Sequence, residues 1–175
     1  EETMDLVQRT KYYLEYMDDE EALAKLEDVV YWRDLELEAA TGASKGNWRK
    51  WNADGGRIDD QLIEEGLKIW NSGDALGVIY TPNFTLNSEM EYELEVELIG
   101  DDMTENMVIG VTSTKGTYLQ FIKTIGLKDS EVKKLTFRFI TTDDIEPQSQ
   151  RIIFHHLGGI EGTFTVKNVM ISKVN

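Results

Sequence analysis

The chain has 175 residues, no cysteine, and a formal net charge of −15 from 33 acidic and 18 basic side chains. That length supports one domain of ordinary size plus an appendage, and the missing thiol excludes a disulfide framework, a thiolate metal site and a cysteine nucleophile. The scattered Lys and Arg residues argue against nucleic-acid binding, and no apolar run approaches the roughly 18 to 20 residues of a spanning helix, nor does the start carry a signal-peptide pattern.

Residues 1–33 read as an α-helical stalk. Up to Trp32 there is no proline or glycine, and good helix formers dominate. Tyr12, Tyr16, Asp19, Leu23, Leu26 and Val30 alternate spacings of three and four, the seam of a short coiled coil with one acidic interruption. The spacing predicts self-association, with a homotrimer as the expected form. An amphipathic helix packed on its own domain and a disordered tail remain alternatives, and Asp18 with Glu21 could cap a second helix. Residues 1–41 hold 13 acidic and 4 basic residues, so −9 of the charge sits there and −6 in the rest. The bland reading of that excess is solubility.

Residues 34–175 are expected to form the folded domain, with a boundary between 31 and 42. Short runs divided by Gly, Asn and Asp turns follow the loop of small residues Ala39 to Ser44. Tyr92, Leu94, Val96 and Leu98 alternate with Glu91, Glu93, Glu95 and Glu97, a half-exposed strand with one acidic face. Leu135, Phe137 and Phe139 alternate likewise, as do Phe164 and Val166. Asp34 to Glu38, Leu67 to Trp70, Leu76 to Tyr80, Met107 to Thr112, Tyr118 to Ile122, Arg151 to His156 and Val169 to Lys173 are further strand candidates. About ten short strands without helices between them predict an all-β sandwich or barrel.

The opening Gly46-Asn47-Trp48-Arg49-Lys50-Trp51, the later Phe84-Thr85-Leu86 with Tyr92-Glu93-Leu94, and the closing run from Gly162 to Lys173 together resemble the galactose-binding-like jelly roll of many carbohydrate-binding modules. The likeness covers residues 34–175 and rests on loose motifs. It implies a jelly-roll β-sandwich, no catalysis and a saccharide partner. A helical stalk before such a module is similar to phage tail-fibre and baseplate proteins, which implies a virion location and host-surface saccharide as the ligand. The alternatives are an extracellular accessory module of a polysaccharide-degrading enzyme and a purely structural virion domain.

Flat rings beside amides and guanidinium groups are what a sugar-binding face requires. Trp51, Trp70, Tyr80, Tyr118, Arg49 and Asn52 are the candidate ligand-binding residues, although any one of these rings could instead be core. Trp48 is expected in the core, as the resemblance buries its counterpart, and Trp51 is expected to be exposed. The resemblance also implies a structural calcium between the first and last strands, with Asp34, Glu36 and Asn168 at the matching positions and a solvated carboxylate as the alternative; no other cofactor is expected. His155 and His156 are strand neighbours and face opposite ways, so they form no joint site. The acid pairs Asp59-Asp60, Asp101-Asp102 and Asp143-Asp144 read as turns rather than as the spaced carboxyls of a glycosidase.

Overall fold

The structure is a computed structural model that describes residues 27–40, 48–52, 55–71, 77–101, 107–113, 119–127, 130–143, 148–156 and 162–175. In chain order the elements are β1 (Val29–Asp34), α1 (Leu35–Ala40), β2 (Arg49–Asn52), β3 (Ile58–Ile63), β4 (Gly66–Asn71), β5 (Gly77–Tyr80), β6 (Phe84–Leu86), β7 (Glu91–Asp101), β8 (Met107–Ser113), β9 (Leu119–Ile125), β10 (Val132–Ile140), β11 (Gln148–His156) and β12 (Gly162–Lys173). They form two antiparallel sheets of six strands. One runs β10, β7, β12, β4, β3, with β1 beside the second half of β12; the other runs β2, β5, β11, β8, β9, with β6 following β5 along β11.

The alternation in each strand turns one row of side chains inward, and the two inward rows meet as a single core. Phe154 of the second sheet lies 6.2 Å from Phe164 of the first, and Tyr31 of the first stacks 4.8 Å from Phe84 of the second. Phe121 closes one side against Phe137 and Phe139 at 5.3 and 5.6 Å. Burying rows of this kind stabilises by about 25 cal/mol per Å² of apolar area, so a one-residue slip that exposed a row would be severely penalised. The acid-lined strand expected around residues 91–98 is β7, with Leu94, Val96 and Leu98 fully buried and the glutamates half-buried on the other side. There Glu95 and Glu93 meet Lys134 and Arg138 of β10 at 3.8 and 3.9 Å.

Several boundaries differ from the sequence reading. Residues 29–33 were expected in the helix, and they form β1 instead, paired with β12 through Tyr31 to Ile171 and Arg33 to Val169. Val-Val-Tyr-Trp is β-branched and aromatic, and pairing overrides the helix-forming composition upstream. Val30 therefore packs against the core and belongs to no helical seam. The seam positions Tyr12, Tyr16, Asp19, Leu23 and Leu26, and with them the proposed stalk, lie outside the described residues.

Asp34 to Glu38 was expected as a strand, but Asp34 ends β1 and its Oδ1 accepts the Leu37 N–H at 3.0 Å, which caps α1. The strands read separately at Phe164 and at Val169 are one strand, β12. A bulge at Lys167 shifts its register against β7 between Val166 and Asn168, so Phe164, Val166, Val169 and Ile171 all face inward. Asp59 and Asp60 sit within β3 and Asp101 ends β7, rather than lying in turns.

Candidate functional site

The second sheet has an outward face whose composition follows from the same alternation. In β5, Gly77 and Ile79 point to the core and Val78 and Tyr80 away from it; in β11, Ile152 and Phe154 are fully buried in the core and Arg151, Ile153 and His155 lie on the other side. Residues paired in register share a face. One row therefore crosses five strands as Arg49, Tyr80, Ile153, Gly110 and Ile122, and the next crosses as Trp51, Val78, His155, Val108 and Thr124.

Exposure on this face falls from the edge strands to the middle. Trp51 on β2 is 51% exposed and Ile122 on β9 is 53% exposed, whereas His155 and Val108 between them are 8% and 1% exposed. The edge strands β2 and β9 are open to solvent and the middle is shielded. At Gly110 the strands pack closely, since an added Cβ would press on Ile153 Cγ1 and the Phe121 carbonyl oxygen, each at 3.1 Å.

The polar equipment gathers at the β2 end. The Arg151 guanidinium lies over the Tyr80 ring, 4.5 Å from its centroid, a cation–π contact that fixes both groups. Arg151 Nε is buried and has no hydrogen-bond partner among the described residues. Arg49 is exposed next to Tyr80 in register, and Trp51 follows two residues on, on the same face. An exposed indole beside a guanidinium group can stack on a pyranose ring while the arginine bonds its oxygens. The six strands of this sheet contain no Asp or Glu, so they supply no carboxyl pair for glycoside hydrolysis.

Of the residues singled out from the sequence, the fold brings Arg49, Trp51 and Tyr80 together here. Asn52 points elsewhere: its Oδ1 accepts the Ile58 N–H at 2.8 Å and so ties β2 to β3. Trp70 is half-buried on the outward face of the other sheet, in register with Asp59 and Thr163, on the far side of the sandwich from Trp51. Tyr118 lies outside the described residues. Trp48 is core, 5% exposed and stacked 5.8 Å from Phe154. Arg151, Ile153 and His155 also lie on this face, although the sequence alone does not single them out as binding residues. The alternation from Arg151 to His155 was the available signal.

The three positions named for calcium each have another partner. Asp34 caps α1, Glu36 lies 3.3 Å from Lys167 Nζ, and Asn168 Oδ1 accepts the Trp32 indole N–H at 2.8 Å. Among the described residues no group of three or more His, Asp or Glu side chains is arranged to hold a metal ion. No described helix is long and apolar enough to cross a membrane.

No protein-family model and no curated protein matches the sequence. Solved structures do match in fold. A family 4 carbohydrate-binding module superposes with a TM-score of 0.62 at 18% identity, over 75% of this chain and 92% of that one. A family 11 carbohydrate-binding module from Clostridium thermocellum, solved with a β-1,3-1,4-mixed-linked tetrasaccharide, gives 0.54 at 15% identity, over 74% and 90%. The enzymatically active domain of bacteriophage CBA120 tailspike protein 4 gives 0.53 at 10% identity, over 74% of this chain and 20% of that one. At these identities the likeness establishes the jelly-roll sandwich alone.

Proposed function

We propose that this chain is a non-catalytic carbohydrate-binding module whose binding surface is the outward face of the second sheet. The observation that carries the reading is Trp51, a half-exposed indole on an edge strand, on the same face as Arg49, Tyr80 and Arg151. A large apolar ring kept in water is what a sugar platform requires and what a core does not. The strands of the face hold no carboxylate, which favours binding over hydrolysis even though the same fold occurs in an enzymatically active tailspike domain.

The ligand in this reading is a saccharide of a larger polymer or cell surface. Two settings use the same face: a tail-fibre or baseplate protein of a phage, where the module would meet the host surface as part of a trimer, and an accessory module of an extracellular polysaccharide-degrading enzyme. The sandwich neighbours from polysaccharide-binding modules favour the second setting, and the tailspike neighbour keeps the first. The test is affinity electrophoresis of the chain through gels containing soluble plant, algal and bacterial-surface polysaccharides. At least one polymer should retard the wild type, and Trp51→Ala should abolish that retardation with little change in melting temperature. If no polymer retards the chain, the reading fails and a structural role takes its place.

A further inference from the structure

The carboxylates of this acidic chain are sorted between its two sheets. All of the strand carboxylates, Asp34, Asp59, Asp60, Glu91, Glu93, Glu95, Glu97 and Asp101, belong to the first sheet, and the strands of the second contain none. Several cations of the first sheet have a carboxylate close by: Lys134 lies 3.8 Å from Glu95, Arg138 3.9 Å from Glu93 and Lys68 3.9 Å from Asp101. Even Lys50 of β2 turns off the second sheet's face to reach Asp59 and Asp60 at 3.7 and 3.6 Å. Arg49 and Arg151 share one outward face and neither has a carboxylate partner among the described residues.

We propose that Arg49 and Arg151, on either side of Tyr80, form a subsite for an anionic group, so that the saccharide bound here carries a carboxylate or a sulfate ester. The proposal rests on the carbohydrate-binding reading and specifies the class of glycan. The strands of this sheet offer neither guanidinium a carboxylate, and a neutral hydroxyl leaves their charge uncompensated. A carboxylate or sulfate offers two or three acceptor oxygens, which suits the planar fork of arginine. The contact with Tyr80 engages the flat face of the Arg151 guanidinium and leaves its edge N–H groups for such a partner. With Trp51 two residues beyond Arg49 on the same face, one sugar ring can stack on the indole while the substituent of that ring or its neighbour meets the arginines. The net charge of −15 disfavours a densely charged polyanion such as nucleic acid, whose phosphates would need many clustered cations. It does not oppose a sparsely charged glycan, because charges farther than about 8 Å are largely screened at physiological salt.

The test uses the whole chain on an array of matched glycans: uronic-acid oligosaccharides, their carboxyl-reduced neutral counterparts, sulfated oligosaccharides, neutral glucans and xylans, and single-stranded DNA. The acidic member of at least one matched or sulfated pair should bind about tenfold or more tighter than its neutral form, and added salt should erode that difference. The uronate and sulfate arms distinguish the two sources of the anion. Arg49→Gln, an exposed change on an edge strand, should remove most of the preference without altering melting, and Arg151→Gln should also remove it, with some loss of melting temperature as its contact with Tyr80 is lost. Lys134→Gln, an equal charge change on the other sheet, should leave it intact. Equal or tighter binding of the neutral forms overturns the anionic subsite and leaves carbohydrate binding standing. Binding of no glycan overturns both, and equal capture of DNA shows unselective attraction and also overturns the subsite.

Discussion

Replacing Trp48 by alanine should unfold much of what Trp51→Ala leaves untouched, although the two residues are three apart on one stretch. Trp48 is 5% exposed and packs against Phe154, itself fully buried between the sheets, whereas Trp51 is 51% exposed. Truncating a buried tryptophan costs about 3 to 5 kcal/mol through lost burial and the cavity left behind. The indole Nε1 of Trp48 is buried with no hydrogen-bond partner among the described residues, so it already carries a penalty of about 1 to 3 kcal/mol. Trp48→Phe removes that donor while keeping an aromatic ring against Phe154. The loss of apolar area and the relief of the donor should then nearly cancel, to within about 1 kcal/mol. Urea unfolding followed by far-ultraviolet circular dichroism measures all three variants. The reasoning predicts a large loss for Trp48→Ala, near-neutrality for Trp48→Phe and less than about 1 kcal/mol for Trp51→Ala. A loss above about 3 kcal/mol for Trp51→Ala with a small one for Trp48→Ala would refute the assignment of core and rim.

Gly66 has φ +137° and an added Cβ would run into the Val166 carbonyl oxygen, so Gly66→Ala should lower the melting temperature sharply, by a loss of about 2 kcal/mol or more in stability. Burial pushes the Tyr31 hydroxyl from its ordinary 10.0 up to about 12, against a smaller opposing pull from Arg33. The folded state therefore holds this proton where the unfolded chain has lost it, so the stability is fully present below pH 10.0 and declines as the pH rises toward about 12, by about 1.4 kcal/mol per pH unit. Urea midpoints should show this decline in the wild type and a shallower one in Tyr31→Phe. Melting in excess calcium and in chelator should coincide, because Asp34, Glu36 and Asn168 are bonded to Leu37, Lys167 and Trp32; a rise in calcium would contradict that assignment of partners.

The sandwich was legible because its signal is local. Alternation in Glu91 to Leu98 and in Leu135 to Phe139 reports a half-buried strand whatever its neighbours are. The failures came where a tertiary partner or a cap decides. Leu-Glu-Leu-Glu alternates like a strand, but Asp34 in front of it supplies a helix cap, and Val29 to Trp32 becomes a strand because β12 is there to pair with it. β12 read as two strands because a bulge breaks the alternation without ending the strand.

The exposure of Trp51 was recognisable from its polar neighbours Lys50 and Asn52, and Tyr80 and Arg49 lie on the same face of the proposed site. Trp70 has a similar local context but lies on the opposite sheet, a fact only the pairing of β4 with β12 reveals. Arg151 carries no local sign of its position over Tyr80, since the two meet only when β11 pairs with β5. The separation of the strand carboxylates from the second sheet was equally invisible until the strands were sorted into two sheets.

The four tryptophans give the account its most direct test, since each contributes one indole N–H signal and they occupy four different environments. Trp51 stands on the rim of the proposed face, Trp70 on the opposite sheet, Trp48 in the core, and Trp32 buried with its N–H bonded to Asn168. Titrating the labelled chain with a saccharide it binds and following these four signals by nuclear magnetic resonance should shift the Trp51 indole far more than the other three. Movement of Trp70 with Trp51 unchanged would place the ligand on the other sheet and contradict the account.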